Sequence, residues 1–335
     1  MISIAVLGCG RIGRMHAANI AAHPRAELAG VFDVHGPAAA EVAEGLGVRR
    51  FASADEVFAA SGVDAVLIAT STPTHVDFIE RGVRAGKAVL CEKPIDLSLE
   101  RVNALRQRIA GTSVPIMLGF VRRFDNGHGA ARRALLDGEI GDLWQVVITS
   151  RDPGMAPAAY IEQSGGIFRD MTIHDLDLAR FMLGEEVTTV TASGSRLVDP
   201  ALMERCQDYD VVTVLLSTAS GRQAVITNSR QASYGYDQRV ELLGSKGMVI
   251  SENALENLVS RHTADGTSIR ARLPHFFIER YRQAFDTEIG LFVDAVENGT
   301  PVPVGFEDGR IALLLADACF RSVAEGRTIA VSELE

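Results

Sequence analysis

The stretch from residue 1 to residue 13, MISIAVLGCGRIG, decides the fold of this 335-residue chain. Its apolar run ends at Leu7 and is followed at once by GCGRIG, in which the glycines have the spacing G-x-G-x-x-G. The apolar run predicts a buried strand, and the residues after the glycines have the apolar spacing of a helix. Gly8 would then form a tight turn, Gly10 would let the backbone approach a pyrophosphate, and Gly13 would let the helix pack closely on the strand.

An acidic residue follows at the distance that a dinucleotide site requires. Asp33 stands 20 residues after Gly13, at the end of the second predicted strand. A carboxylate in this place accepts hydrogen bonds from ribose hydroxyls and repels a 2′-phosphate. His35 and Gly36 come next, and no arginine stands there to bind a phosphate. The cofactor that we expect is therefore NAD and not NADP.

The pattern of the chain changes near residue 121. Before it, five short apolar strands alternate with helical stretches, which is typical of a parallel sheet covered on both faces. After it, strand-like runs follow one another with few helices between them, which favours an open, mostly antiparallel sheet. The predicted fold class is α/β, with an N-terminal Rossmann domain over residues 1–120 and a C-terminal α/β domain over residues 121–335.

The composition argues against several classes of partner. The chain has 43 acidic and 33 basic residues and a net charge of −10, and such a surface repels nucleic acid and anionic lipid. The four cysteines are scattered without a C-x-x-C pair, which disfavours a disulfide framework and a structural zinc site. No apolar run reaches the about 18 residues of a membrane span. We expect a cytoplasmic protein with no nucleic-acid partner, no membrane partner and no metal.

Two further patterns are candidates for catalysis. Lys93 follows the fourth predicted strand, at the sheet edge where ligands bind, and its ammonium group could stabilise a developing alkoxide. Asp170 and His174 are four residues apart and share one helix face, so that the imidazole could accept a proton from a bound hydroxyl. A solvated loop lysine and a structural histidine near a helix N-terminus explain the same spacings without catalysis.

The ordered set of motifs resembles the Gfo/Idh/MocA oxidoreductases along the whole chain. The motifs are the glycine turn, ATSTPTH at residues 69–75, EKP at residues 92–94 and GGIFRDMTIHD at residues 165–175. The resemblance implies that Lys93, Asp170 and His174 are catalytic, with His174 as the proton acceptor. The residues that it implies for cofactor binding are Gly8, Gly10, Arg11, Ile12, Gly13, Asp33, Thr70, Ser71, Pro73, His75 and Glu92.

Within the family, the chain is most similar to the inositol 2-dehydrogenase branch. The motifs RRFD at residues 122–125, RDP at residues 151–153 and YGYD at residues 234–237 carry this closer similarity. It implies that Arg123, Asp152 and one tyrosine of the last motif contact the substrate. Of Tyr234 and Tyr236, we take Tyr236 as the candidate.

The reaction that this resemblance implies is the reversible oxidation of a cyclic polyol by NAD, with myo-inositol converted into its 2-keto product, scyllo-inosose. An aldose dehydrogenase is the first alternative, because Val121, Met155 and Ala156 depart from the inositol pattern near the expected substrate site. A non-catalytic, dinucleotide-dependent regulator is the second, and it predicts the loss of Lys93 or His174, which are both present. The resemblance also implies a homo-oligomer, often a tetramer, formed through the open sheet face.

Overall fold

The computed structural model describes residues 1–334, which form two compact units. The first unit consists of Met1–Val121 and Ala284–Ile311, and the second consists of Arg122–Gln283 and the chain from Ala312 onward. None of the helices within residues 1–334 combines the length and the apolar character that a membrane span requires.

The first unit is built on a parallel sheet of five strands. They are β1 (Ile2–Leu7), β2 (Ala26–Phe32), β3 (Ala65–Ile68), β4 (Ala88–Cys91) and β5 (Ile116–Leu118), in the order β2-β1-β3-β4-β5. The helices between them are α1 (Arg11–Ala22), α2 (Gly36–Leu46), α3 (Ala54–Ala59), α4 (His75–Arg84) and α5 (Leu99–Arg108). Every residue of β3, β4 and β5 is buried, as expected for a parallel sheet covered on both faces. The predicted Rossmann domain is confirmed.

The second unit is built on a mixed sheet of seven strands. They are β6 (Leu143–Arg151), β7 (Val187–Ser195), β8 (Val211–Thr218), β9 (Gln223–Ser229), β10 (Asp237–Gly244), β11 (Gly247–Ser251) and β14 (Ile329–Ala330), in the order β11-β10-β6-β9-β8-β7-β14. A separate hairpin consists of β12 (Arg261–Thr263) and β13 (Gly266–Ile269). Neighbouring strands of the large sheet are antiparallel except for β6 and β9, which confirms the prediction of a mostly antiparallel sheet.

Helices cover one face of this second sheet. They include α6 (Asn126–Leu136), which packs on β10 and β11, and α8 (Ile173–Leu183). The other helices of this part of the chain are α7 (Ala158–Ile161), α9 (Pro200–Arg205) and α10 (Phe277–Arg280). Helix α8 packs on β6 and β9, and buried residues alternate along both strands because their side chains point to opposite faces in turn. The opposite face stays open, as its exposed Leu215 and Ile250 illustrate.

Two long helices lie near the end of the described chain, α11 (Arg282–Asn298) and α12 (Phe306–Glu325). The first unit includes α11 from Ala284 and the beginning of α12, whereas the sequence analysis assigned everything after residue 120 to the second domain. Helix α11 buries an apolar face, and the chain after it pairs with β5, where the backbone N of Leu118 donates to the carbonyl oxygen of Val304 at 3.0 Å. A boundary drawn along the sequence misses this return because the paired segments are far apart in the chain.

Three titratable side chains meet inside the first unit. His16 on α1, Glu92 after β4 and Glu288 on α11 bring a ring nitrogen and carboxylate oxygens within 4.8 Å of one another. His16 Nε2 and Glu92 Oε1 are 2.7 Å apart, while the carboxylate oxygens of the buried Glu288 have no hydrogen-bond partner among residues 1–334. Burial, and then the charge of Glu92, raise the pKa of Glu288 well above the usual value for glutamate.

The substitution Glu288→Gln should change how stability depends on pH. A glutamate in the unfolded chain titrates near about pH 4.3, so above that pH the folded protein keeps a proton that the unfolded chain has lost. The free energy of unfolding of the wild type therefore falls as the pH rises toward the raised pKa of Glu288. Glutamine has the same shape and does not titrate. We expect the Tm of the variant relative to the wild type to be higher at about pH 9 than at about pH 5.

The matched control is Asp286→Asn, which neutralises an exposed acid on the same helix. Thermal unfolding at the two pH values should show no pH-dependent difference in Tm for this variant. If the difference in Tm between Glu288→Gln and the wild type is the same at both pH values, the pKa of Glu288 is not raised in the folded chain.

Candidate active site

The turn between β1 and α1 has the shape of a phosphate site. Gly8 has a φ of +100°, and a Cβ on it would lie 2.4 Å from the carbonyl oxygen of Ala69. A Cβ on Gly13 would lie 1.9 Å from the carbonyl oxygen of Gly8, so neither glycine can be replaced without moving the backbone. A Cβ on Gly10 would meet nothing within 4 Å, which leaves open space beside the exposed N-terminus of α1.

Asp33 is tied to this turn by the backbone. Its Oδ2 accepts a hydrogen bond from the backbone N of Cys9 at 2.6 Å, and its Oδ1 accepts one from the backbone N of His35 at 2.7 Å. Each bond uses one of the two lone pairs of its oxygen, so both oxygens can still accept hydrogen bonds from ribose hydroxyls. The carboxylate is therefore fixed in place beside the glycine turn and keeps the capacity to bind a ligand.

These features fit the cofactor that the sequence predicts. The first turn of α1, which begins with Arg11 and Ile12, contains no acidic residue, so its free N–H groups and the helix dipole favour an anion. The pyrophosphate of NAD would lie there, with Gly10 allowing its close approach. The adenosine ribose would lie on Asp33.

The loop after β3 carries four of the predicted cofactor residues. Ser71 and Pro73 are exposed and Thr70 is half-buried. His75 is buried, and its ring lies between two carbonyl oxygens, with Nε2 at 3.1 Å from Thr70 and Nδ1 at 2.8 Å from Pro94. Burial lowers the pKa of His75. The ring thus joins the loops after β3 and β4, and its contact with the cofactor stays a prediction.

Glu92 and Lys93 follow β4 directly. The backbone N of Glu92 donates to the carbonyl oxygen of Ile68 at 2.9 Å, and its carboxylate pairs with His16, so the start of the loop is held from inside the unit. Lys93 comes next and is half-buried. Since the strands are parallel, the glycine turn and the loops after β3 and β4 lie at the same edge of the sheet.

In the second unit, the carboxylate of Asp170 is held from two sides. Tyr160 donates its hydroxyl to Oδ1 at 2.7 Å, and Arg230 donates Nη1 to Oδ2 at 3.0 Å. Asp170 lies in a π-helical turn, Phe168–Thr172, that runs directly into α8. His174 is the second residue of α8, so the two predicted catalytic side chains follow one another within a continuous helical segment. Such π-turns are frequent at functional sites.

Buried ion pairs hold the helix that carries His174. Arg122 donates Nη1 to Asp175 at 2.5 Å, and Arg123 donates Nε and Nη2 to Asp177 at 2.7 and 2.5 Å. All four side chains are at most 8% exposed. Arg123, which the sequence analysis assigned to the substrate, thus has a scaffold role in the structure, and its contact with the substrate stays a prediction.

The two tyrosines of the YGYD motif have different surroundings. Tyr234 is 54% exposed and donates its hydroxyl to Asp237 Oδ2 at 2.6 Å, whereas Tyr236 is 4% exposed. Burial raises the pKa of Tyr236 well above its usual value, with the charge of Arg122 opposing this shift and that of Asp152 adding to it. The hydroxyl of Tyr236 is therefore within electrostatic reach of Asp152, which was also predicted to bind the substrate.

Three residues of this site were missed by the sequence analysis: Tyr160, Arg230 and Asp208. Arg230 had a detectable signal, because it directly follows a strand with alternating apolar residues, where a buried cation needs acidic partners. Asp208 is one of these partners, at 3.1 Å from Arg230. Tyr160 lies on the short helix α7 in a loop rich in alanine and proline, where no periodic pattern identifies it.

Comparison with known proteins agrees with both units. Residues 2–120 match a model described as an oxidoreductase family with an NAD-binding Rossmann fold, and residues 128–250 match the GFO/IDH/MocA C-terminal domain. An inositol 2-dehydrogenase of Rhizobium meliloti (strain 1021) is 49% identical over 331 residues, which make up 99% of this chain and 99% of that protein.

Solved structures give the same result. The crystal structure of a myo-inositol dehydrogenase from Corynebacterium glutamicum has a TM-score of 0.95 at 46% identity and covers 98% of both chains. That of a scyllo-inositol dehydrogenase from Lactobacillus casei, with bound NAD(H) and scyllo-inositol, has a TM-score of 0.92 at 31% identity and covers 99% of both chains. The chain therefore belongs to the GFO/IDH/MocA family of oxidoreductases, and its first domain is the NAD-binding Rossmann fold of that family.

Proposed function

We propose that this chain is an NAD-dependent dehydrogenase of cyclic polyols, with myo-inositol as substrate and its 2-keto derivative, scyllo-inosose, as product. The observation that carries the proposal is the pair of Asp170 and His174 on one helical segment, in the unit that also holds Asp152 and Tyr236. The relatives support it, since those from R. meliloti and C. glutamicum are named inositol dehydrogenases and that from L. casei binds NAD(H) and scyllo-inositol.

The proposed chemistry is general base catalysis with charge stabilisation. His174 accepts the proton of the substrate hydroxyl, and the carboxylate of Asp170 stabilises the imidazolium that forms. Lys93 donates a hydrogen bond to the reacting oxygen while negative charge develops on it. NAD, when bound, supplies the acceptor for the hydride from the same carbon. In the reverse direction, His174 returns the proton to the oxygen.

A polyhydroxylated ring matches the polar groups of the second unit. Each buried hydroxyl that stays unpaired costs about 1–3 kcal/mol, so a ring with a hydroxyl on every carbon needs partners on all sides. Asp152, Asp170, His174 and Tyr236 come from three separate segments and offer both donors and acceptors. A hydroxy acid is disfavoured, because Asp152 and Asp170 would repel its carboxylate.

Asp33 makes NAD the preferred cofactor over NADP. Its carboxylate is held beside the glycine turn by Cys9 and His35, where it would face a 2′-phosphate with a like charge. Arg14 on α1 pairs with Glu41 at 2.6 Å and donates to the carbonyl oxygen of Cys9. These contacts leave Arg14 committed to the protein itself.

We also propose a homo-oligomer, with the tetramer as its final state, formed through the open face of the second sheet. The strand register aligns five side chains in one row across this face: Ile250, Glu241, Val147, Val225 and Leu215. Ile250 and Leu215 are 43% and 38% exposed, and their burial between two copies would favour association.

The need for NAD and the four free cysteines support a cytoplasmic location.

The substrate can be tested by comparing kcat/KM for NAD reduction with myo-inositol, scyllo-inositol, glucose and galactose. We expect myo-inositol to give the highest value, because acidic and phenolic groups that surround a ring discriminate the positions of its hydroxyls. An aldose is the second candidate, since Met155 and Ala156 depart from the inositol pattern in the loop that carries Asp152, where they pack against the cluster of Ile161, Leu202 and Met203. A clear preference for an aldose over both inositols would refute the inositol assignment and leave a sugar dehydrogenase.

The substitution Lys93→Met should lower kcat by about a hundredfold or more, on the order of 3 kcal/mol of lost charge stabilisation, and leave the Kd for NAD largely unchanged. The reason is that the ammonium group acts on the reacting oxygen and not on the cofactor. Lys246→Met, at an exposed turn, is the matched control and should keep the wild-type kcat. Steady-state kinetics together with NAD titration measure both quantities. A normal kcat for Lys93→Met would mean that Lys93 has no part in the chemistry.

A further inference from the structure

The orientation of Asp170 depends on a buried arginine. Arg230 is 2% exposed and contacts two acids, Asp170 through Nη1 at 3.0 Å and Asp208 through Nη2 at 3.1 Å. Asp208 is itself fixed, because its Oδ1 accepts a hydrogen bond from the backbone N of Ile167 at 2.8 Å. The backbone N of Arg230 donates to the carbonyl oxygen of Asp210 at 2.8 Å. The guanidinium group is therefore held at both ends.

The glycine pair before the catalytic segment serves the same network. Gly166 has a φ of +84°, and a Cβ on it would lie 2.9 Å from Asp208 Oδ1 and 2.7 Å from the ring of Phe320. Only glycine lets Asp208 come close enough to bind the backbone N of Ile167. The motif GGIF at residues 165–168 thus places the acid that holds the far end of Arg230.

We propose that Arg230 is a positioning residue for proton transfer: its buried charge holds Asp170 as an oriented carboxylate on the helical segment of His174 and sets the pH above which His174 accepts a proton. This inference rests on the proposed function, in which His174 is the base. Arg230 is 2% exposed and its guanidinium group contacts Asp170, so its effect on His174 passes through that carboxylate.

The charge balance around Asp170 supports this role. Two acids, Asp170 and Asp208, share the single positive charge of Arg230. Burial opposes the charge of Arg230, but the two acids outweigh it and raise the pKa of the guanidinium group. The titratable and charged groups that contact Asp170 are Tyr160 and Arg230. Asp208 lies on the far side of Arg230, Asp152 is within electrostatic reach of Tyr160, Arg169 next to Asp170 in the chain pairs with Asp317, and His174 follows on the same helical segment.

This charge balance decides in which direction the loss of Arg230 moves the pH profile. Without Arg230, Asp170 and Asp208 lose their counter-charge. The uncompensated charge of Asp170, one helical turn before His174, stabilises the imidazolium and raises the pKa of His174. A higher pKa of His174 moves the acidic limb of the pH profile of kcat/KM to higher pH. Loss of the Tyr160 hydroxyl removes a donor to the same carboxylate and moves the limb in the same direction.

The test compares pH profiles of kcat/KM for polyol oxidation by the wild type, Arg230→Met, Arg230→Lys and Tyr160→Phe. For Arg230→Met we expect the loss of kcat/KM relative to the wild type to be about tenfold greater at about pH 6 than at about pH 9. This difference corresponds to a movement of the acidic limb by about one pH unit. Lysine keeps the charge, so Arg230→Lys should have a lower kcat with the limb near its wild-type position. The matched control is Arg196→Met, since Arg196 donates to the backbone oxygen of Asp208, not to its carboxylate, and packs on Tyr209. The acidic limb of this variant should not move.

An unmoved limb in Arg230→Met, with only kcat or Tm reduced, overturns the inference, because Arg230 would then be structural. If Arg230→Met does not fold, Tyr160→Phe decides: a limb at higher pH supports the inference and an unmoved limb overturns it. NMR titration of the His174 ring, assigned with His174→Gln, reads the same shift without turnover. An inactive wild type would contradict the proposed function, whereas an unmoved His174 titration would contradict this inference alone.

Discussion

The close approach of α1 to β1 is the constraint on which the first unit depends. A Cβ on Gly13 would lie 1.9 Å from the carbonyl oxygen of Gly8, and one on Gly8 would lie 2.4 Å from that of Ala69. Because both positions are glycine, the N-terminus of α1 reaches the edge of the sheet where β1 and β3 end. Asp33 is bound to the backbone of the same turn through Cys9, so the anion site and the ribose site are fixed together.

In the second unit, buried ion pairs are the constraint that fixes the position of the candidate site. Arg122 with Asp175, Arg123 with Asp177 and Arg230 with Asp170 are ion pairs that surround the segment carrying His174. Breaking such a pair from one side leaves an unpaired buried charge and costs about 3–5 kcal/mol. The pairs therefore restrict the helix to one position, which a base needs if it is to meet a hydroxyl at hydrogen-bond distance.

The sequence was sufficient for the strands of the parallel sheet and insufficient for contacts between distant segments. The roles of the motif residues stay predictions. The five strands of the parallel sheet followed from short apolar runs, because burial on both faces leaves a strong local signal. The return of α11 to the first unit has no local signal, since it depends on the pairing of Leu118 with Val304. The partners of Asp170 could not be predicted for the same reason, because Tyr160 and Arg230 are 10 and 60 residues away from it in the chain. The π-helical turn at Phe168–Thr172 could not be distinguished from an α-helix in the sequence, because the two kinds of helix have similar residue spacing over one turn.

The central claim is that hydride leaves the carbon whose hydroxyl proton His174 accepts. The most direct measurement uses myo-inositol with deuterium in place of hydrogen at C2 and follows the label by mass spectrometry and NMR. Our account predicts that the deuterium appears at the nicotinamide C4 of the reduced cofactor, in an amount equal to the 2-keto product. Deuterium released into water, or a keto product formed with no label in the cofactor, would contradict it.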